Sequence, residues 1–313
     1  MDRRIIGAYR NGNYDVFIFD DGTKIRSNDL EPMPCQSPDE CFIADFPDSM
    51  DVTITHRCNA GCEMCYAGCT QSGENGDILS AGWINFLHPY TEMAIGGGNI
   101  FEHPDLIPFL EKLESKKIIA NITVNQRHFL ENYDLICDLV NRKLVYGVGV
   151  SIIFPTEELL EKMSALPHAV AHCILGVISM DALRKMYDRD IRLLLLGYKT
   201  TGRGADYISA HDSVLHARMK SVNESIGEIL HRFKVVAFDN MALNQLDVRS
   251  HVDNDTWNRF YMGDDGINGK TTSSTMFIDM VDRVFAINSM SEVTHPIEDH
   301  DTPGSMFRSL QGR

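Results

Sequence analysis

Residues 50–66 read "MDVTITHRCNAGCEMCY". A short β-branched run, Met50 to Thr55, has the composition of a strand. Directly behind it stand Cys58, Cys62 and Cys65, with three residues in the first gap and two in the second. A structural zinc site normally shows four ligands, often as two spaced pairs. Three thiolates in one tight run instead suit a cubane iron–sulfur cluster that keeps one iron free to bind something else. An open coordination position is the logic of catalytic metal sites in general.

Working outward from that stretch, β-branched runs alternate with amphipathic ones. "MDVTIT", "EMAIG", "IIANITVN", "VYGVGVSII", "AVAHCILGVI" and "IRLLLLGY" have strand character. Between them lie "PDLIPFLEKLESK", "RHFLENYDLICDLVNRK", "TEELLEKMSAL" and "SMDALRKMYDRD", with apolar residues at helical spacing. The strand runs are almost wholly apolar, as in a parallel sheet covered on both faces. Six strand–helix repeats suit a curved, partial (β/α)₆ barrel. A doubly wound sheet is the rival, and periodicity does not separate the two.

The spacing Cys58-x₃-Cys62-x₂-Cys65 followed by Tyr66, at the end of a first barrel strand, resembles the signature of the radical S-adenosylmethionine (radical SAM) superfamily. The resemblance spans about residues 50–198. It implies an α/β fold with a partial (β/α)₆ barrel, and one [4Fe–4S] cluster held by the three cysteines. S-adenosylmethionine (SAM) then binds the fourth iron and is cleaved reductively to a 5′-deoxyadenosyl radical that abstracts hydrogen from a substrate. Tyr66 holds the position of an aromatic residue that packs by the adenine. "AIGGGN" ends the second strand run, and the resemblance assigns Gly96, Gly97 and Gly98 to the amino group of SAM. Glycines remove the Cβ obstruction there. Many members carry Glu after two glycines, where this chain has Gly98 and then Asn99, so that carboxylate contact is missing. Asn125 and Ser151, at the ends of the third and fourth strand runs, occupy positions of polar SAM contacts, and such strand ends are where barrel sites are built. No hydrogen-abstraction partner or other catalytic side chain is legible. The resemblance also implies an external electron donor of flavodoxin or ferredoxin type.

Outside this core, "NYDVFIFDDGTKIR" (13–26) reads as a β-hairpin across a "DDG" turn, followed by a Pro-, Asp- and Ser-rich linker. "KVVAF" (234–238) is a candidate seventh strand, "STMFIDMVDRVFAINS" (274–289) a hairpin, and "GSMFRSL" a short helix. These mark three segments: 1–49 as hairpin and linker, 50–205 as core, and 206–313 as an α+β extension. The C-terminal hairpin resembles that of SPASM or Twitch extensions in peptide-modifying members. No cysteine follows Cys173, so the ligands of an auxiliary cluster are lacking. That likeness favours a peptide or protein substrate, with a small molecule next.

Other residues carry weaker signals. Cys69 is a candidate fourth ligand, which would close the cluster and make the chain an electron carrier or a redox or iron sensor. Cys35 and Cys41 read as free thiols, and Cys137 and Cys173 as small buried apolar residues. Tyr198, Lys199 and Arg203 are candidates to face an anionic group. His56 reads as a packed or exposed histidine and His172 as a hydrogen-bonded core residue, with a substrate contact inside the barrel as its alternative; Asp239 and Asn240 are minor candidates for substrate-side polar groups. "GDDGINGKT" (263–271) encloses five residues between its outer glycines, and a phosphate-binding loop needs four.

With 44 acidic against 29 basic residues and a net charge of −15, the chain of 313 residues lacks the basic footprint of a nucleic-acid surface. No stretch of ~18 apolar residues signals a membrane span. The N-terminal stretch has no long apolar run of a signal peptide either, so the expected location is cytoplasmic, where clustered cysteines such as those among the eight here more often mean metal than disulfides.

Overall fold

The structure, a computed structural model, describes residues 3–28, 42–260 and 274–311. Cys35, Cys41, Tyr261 and the "GDDGINGKT" segment lie outside the described residues.

Seven strands follow the alternation legible in the sequence: β4 (Ser49–Thr55), β5 (Glu92–Gly97), β6 (Ile119–Asn125), β7 (Gly147–Ser151), β8 (Ala169–Ile174), β9 (Arg192–Leu196) and β10 (Val235–Phe238). They are preceded by β1 (Ile5–Asn11), β2 (Tyr14–Phe19) and β3 (Lys24–Ser27), and followed by β11 (Thr275–Asp279), β12 (Val284–Ala286) and β13 (His295–Pro296). The main sheet has the order β10-β9-β8-β7-β6-β5-β4-β11-β12-β13. From β10 through β11 every neighbouring pair is parallel.

That order separates the two architectures the sequence leaves open. A doubly wound sheet reverses direction at a switch point. Here each of β5 to β10 lies beside its predecessor, always stepping the same way. With right-handed crossovers, such a progression keeps the connecting helices on one face and leaves the other face free. The sheet is mixed α/β and open, with no closed barrel among the described strands.

The helix side is packed by spaced apolar residues. Helix α1 (Leu106–Ser115) buries Leu106, Phe109, Leu110 and Leu113, each worth about 1.5–3 kcal/mol when removed from water. On β4, Met50, Val52 and Ile54 alternate with Asp51, Thr53 and Thr55 on the opposite face, and of these six only Asp51 is exposed. The remaining helices are α2 (Gln126–Glu131), α3 (Tyr133–Asn141), α4 (Glu157–Ala165), α5 (Met180–Lys185), α6 (Arg203–Glu224), α7 (Ile226–Arg232), α8 (Asn240–Gln245), α9 (Asn254–Phe260) and α10 (Pro303–Leu310). No described helix is long and apolar enough to cross a membrane.

The expected N-terminal hairpin is β2–β3, and β1 adds a third antiparallel strand that the sequence reading missed. This small sheet meets the N-terminal ends of the large sheet's strands. Asp48, fully buried just before β4, accepts from Tyr9 Oη (3.2 Å), Asn11 Nδ2 (2.6 Å), Tyr14 Oη (2.9 Å) and Arg26 Nε (2.7 Å). Arg26 also donates to Ser274 Oγ before β11, and Lys24 pairs with Glu92 at the start of β5. The C-terminal hairpin β11–β12 is likewise tied in, because β11 lies parallel to β4.

Candidate functional site

The free face of the sheet lines a cavity of about 470 Å³. Its walls come from alternate residues of neighbouring strands: Asp51 and Thr53 on β4, Ala94 and Gly96 on β5, Thr123 and Asn125 on β6, His172 and Ile174 on β8, Leu194 and Leu196 on β9, and Phe277 on β11. With Ser151 on β7, seven parallel strands contribute to this one cavity.

All nine cofactor and metal residues singled out in the sequence border this cavity: Cys58, Cys62, Cys65, Tyr66, Gly96, Gly97, Gly98, Asn125 and Ser151. The cysteine loop leaves β4 and is held by backbone and side-chain bonds. Cys58 N donates to Thr70 O (2.8 Å) and Cys65 N to Cys62 O (3.3 Å). Arg127 Nη1 reaches the carbonyl of Asn59 (3.3 Å), and His128 Nε2 lies 2.8 Å from its side-chain oxygen. Asn125, at the N-cap of α2, turns its amide to Cys62, with Nδ2 3.4 Å from Sγ.

Burial pushes the Cys58 and Cys62 thiols up, and neighbouring cysteines add to the effect. Cys65 behaves oppositely. The Cys69 thiol donates to it, and the Cys65 thiol is held down at about 5 while Cys69 is driven up. Cys69 therefore touches one member of the trio and borders the same cavity.

The glycine turn owes its composition to close approach. A Cβ on Gly98 would stand 2.1 Å from the carbonyl oxygen of Arg57, and one on Gly97, whose φ is +107°, 2.4 Å from that of Thr55. Gly98 N and Asn99 N donate to those carbonyls at 2.7 Å each, stitching the turn to the chain that enters the cysteine loop. Asn99 caps the following 3₁₀ turn and donates to Glu102 Oε1 (3.1 Å).

The basic turn after β9 divides its residues among different tasks. Arg203 faces the cysteine loop instead of an anion: Nε donates to Cys62 O and Nη1 to Cys69 O, both at 3.0 Å. Tyr198 donates to Gly204 O (2.7 Å). Lys199 borders the cavity with Nζ 4.2 Å from the centre of the Tyr66 ring, and donates to Ser289 Oγ (2.7 Å). Asn288, Ser289 and Met290 also border the cavity, so the chain after β12 reaches it.

His56 pairs with Asp279 (2.8 Å), which raises its pKa. Desolvation holds the His172 imidazole down at about 4, neutral at ordinary pH. Asp239 caps α8, and burial raises its carboxyl. Asp51 escaped the sequence reading. Its signal was legible, since a carboxylate in mid-strand of a sheet enclosed on both faces breaks the apolar pattern. Its side chain is exposed to the cavity, and desolvation by the surrounding protein raises its pKa.

Solved structures with this fold include Streptococcus suis SuiB bound to the precursor peptide SuiA, at 14% identity and TM-score 0.57, over 86% of this chain and 67% of that one. SuiB bound to S-adenosylmethionine matches at 14% identity and TM-score 0.54, over 86% of this chain and 68% of that one. No family model matches the chain. No curated protein matches it. At this identity the likeness is one of fold.

Proposed function

We propose that this chain is a radical SAM enzyme acting on a peptide or protein substrate. One observation carries the reading: the cysteine loop and the glycine turn, from different strands, border one cavity on the free face of a parallel sheet. The likeness in fold to a protein solved with SAM and with a precursor peptide supports the same two ligand classes here.

The donor set fits a [4Fe–4S] cluster better than a single zinc. A tetrahedral zinc with Zn–S near ~2.3 Å holds its sulfurs about 3.8 Å apart. Among the described residues no three thiols lie within 4.8 Å of one another. Cys58, Cys62 and Cys65 would hold the cluster. When bound, it supplies the electron that cleaves SAM to methionine and a 5′-deoxyadenosyl radical, which takes a hydrogen atom from the substrate. A flavodoxin- or ferredoxin-type donor returns the electron, which suits the reducing cytoplasm.

The protein's own groups position and shield. Arg203 fixes the carbonyls of the cysteine loop, and Asn125 directs an N–H toward Cys62. Gly96 to Gly98, Tyr66 and Ser151 form the wall for SAM. Residues 50–205 make the core of a partial barrel. The segment 206–313 lends β10, β11 and the Asn288–Met290 stretch.

Cys69 favours a second reading, a closed cluster in an electron carrier or sensor, because it borders the same cavity. Its thiol is hydrogen-bonded to Cys65, however, and ligands to different corners of a cubane stand further apart than that. The deciding experiment is EPR of the anaerobically reconstituted, reduced protein with and without SAM, with 5′-deoxyadenosine assayed in the same samples. A SAM-dependent signal with deoxyadenosine formed supports the enzyme. A cluster indifferent to SAM and lost in Cys69→Ala supports the carrier. A protein that binds zinc and no acid-labile sulfide sinks both.

A further inference from the structure

The floor of the cavity carries a carboxyl group that no side chain of the described residues pairs with directly. Asp51 faces the cavity from mid-β4, between the buried Met50 and Val52. Its side chain is exposed to the cavity, so the carboxylate is within reach of whatever enters there. Among the described residues, its carboxylate makes no hydrogen bond, and no cation stands within the 4.0 Å of an ion pair.

The neighbouring charged groups are occupied elsewhere. Asp239 Oδ1 accepts from Gly197 N (2.9 Å) and Ala242 N (2.6 Å), so backbone donors serve it. Lys199 lowers the pKa of both carboxyls from a distance, but its ammonium is held by Ser289 and the Tyr66 ring. His172 is neutral. Asp239 is served by backbone donors and Lys199 by Ser289 and the Tyr66 ring, so the cavity-facing carboxyl without a direct partner is that of Asp51.

Depth identifies what can reach it. Asp51 is in register with Ala94, two residues before Gly96 at the start of the glycine turn. At ~3.3 Å per residue it sits about 7 Å further in than that turn. The buried Asp48–Arg26 network of the N-terminal sheet lies at the far end of the same strand. A group arriving from the cysteine-loop end must therefore extend past the wall for SAM to meet Asp51.

We infer that the cavity floor binds a cationic substrate group, an ammonium or guanidinium on a flexible stem, with Asp51 as its acceptor. The inference rests on the enzyme reading only for the identity of the bearer, a peptide with a lysine- or arginine-like side chain. SAM is itself a cation and is the competing source of positive charge.

The test compares binding of Nα-acetyl-lysine methylamide and its uncharged analogue Nα-acetyl-norleucine methylamide to cluster-loaded protein with SAM present, by saturation-transfer NMR. The lysine probe is expected to bind at least tenfold more tightly. In Asp51→Asn that preference disappears, while iron content and SAM affinity stay within twofold of wild type. Equal binding of the two probes to wild type overturns the inference without recourse to any variant, and so does a preference that survives Asp51→Asn. A tenfold loss of SAM affinity in Asp51→Asn with no probe preference assigns the charge to SAM and also overturns it. Iron content and the SAM-dependent EPR signal, read on the same samples, report on the enzyme reading separately. If they fail, the probe comparison still decides the floor.

Discussion

Arg203 Nε donates to the carbonyl oxygen of Cys62 at 3.0 Å, and the same guanidinium reaches Cys69 O at 3.0 Å. One side chain at the start of α6 thus fixes two points of a loop more than a hundred residues away. Its backbone N–H adds a third bond, to Cys65 O (3.0 Å). Hydrogen bonds from a charged donor contribute about 1.5–3 kcal/mol each. Arg203→Ala is expected to leave the fold intact and loosen the loop. Iron should then be lost to a chelator about tenfold faster, with circular dichroism unchanged. Arg203→Lys, which lacks the planar fork, should fall between. A chelation rate equal to wild type in both variants would show that the clamp does not hold the loop.

In the cluster-free protein, Cys65 should be the first thiol to react. The Cys69 thiol donates to it and holds it down at about 5, so it is largely thiolate by pH 6.5. Cys58 and Cys62 are raised by burial and remain protonated there. Since the thiolate is the nucleophile, iodoacetamide at pH 6.5 should label Cys65 at least tenfold faster than either. Cys69→Ala removes the donor, so the Cys65 pKa rises and its labelling slows. Mass spectrometry of partially alkylated protein reads both effects. Unchanged Cys65 labelling in Cys69→Ala would mean that the two thiols do not interact.

The features legible in the sequence were the local ones. Six strand runs and the intervening helices announce themselves through periods of two and three to four residues, and the cysteine loop and glycine turn through spacing. What was missed depends on partners far along the chain. β11 pairs with β4 across more than two hundred residues, and no local pattern encodes that register. β1 mixes Arg10 and Gly7 into its alternation and is recognisable only from its pairing with β2. Arg203 looked like a cation awaiting an anion, because a sequence does not reveal that carbonyls from a distant loop await it. Asp51 is a different case. Its irregularity was visible within "MDVTIT", but only the enclosed sheet face gives that irregularity meaning.

The seal between the N-terminal sheet and the strand ends should be a major source of stability. Asp48 is fully buried, and the Arg26 side chain is only 10% exposed. Breaking a buried ion pair by removing one partner costs about 3–5 kcal/mol, because the other charge is left stranded. Asp48→Asn is expected to destabilise the protein by that amount in urea unfolding. Arg26→Met combined with Asp48→Asn should cost less than the sum of the single changes, since neither charge then remains. A loss below about 1 kcal/mol for Asp48→Asn would mean that water reaches the network.

His172 should make acid stability depend on the cavity. Its ring packs over Gly149, where a Cβ would stand 2.1 Å from the imidazole, and desolvation lowers its pKa to about 4. In the unfolded chain the value returns to about 6.5. Between those values the unfolded state binds the extra proton, so stability rises with pH through that window and is complete above it. The shift corresponds to at most about 3–4 kcal/mol, and less where cavity water reaches the ring. His172→Gln should remove this part of the pH dependence between about pH 4 and 6.5, leaving the rest of the acid transition in place. Histidine-selective NMR reads the titration directly, with His172→Gln assigning the resonance. A His172 signal that titrates near 6.5 in the folded protein would show that the inner cavity is as wet as bulk solvent.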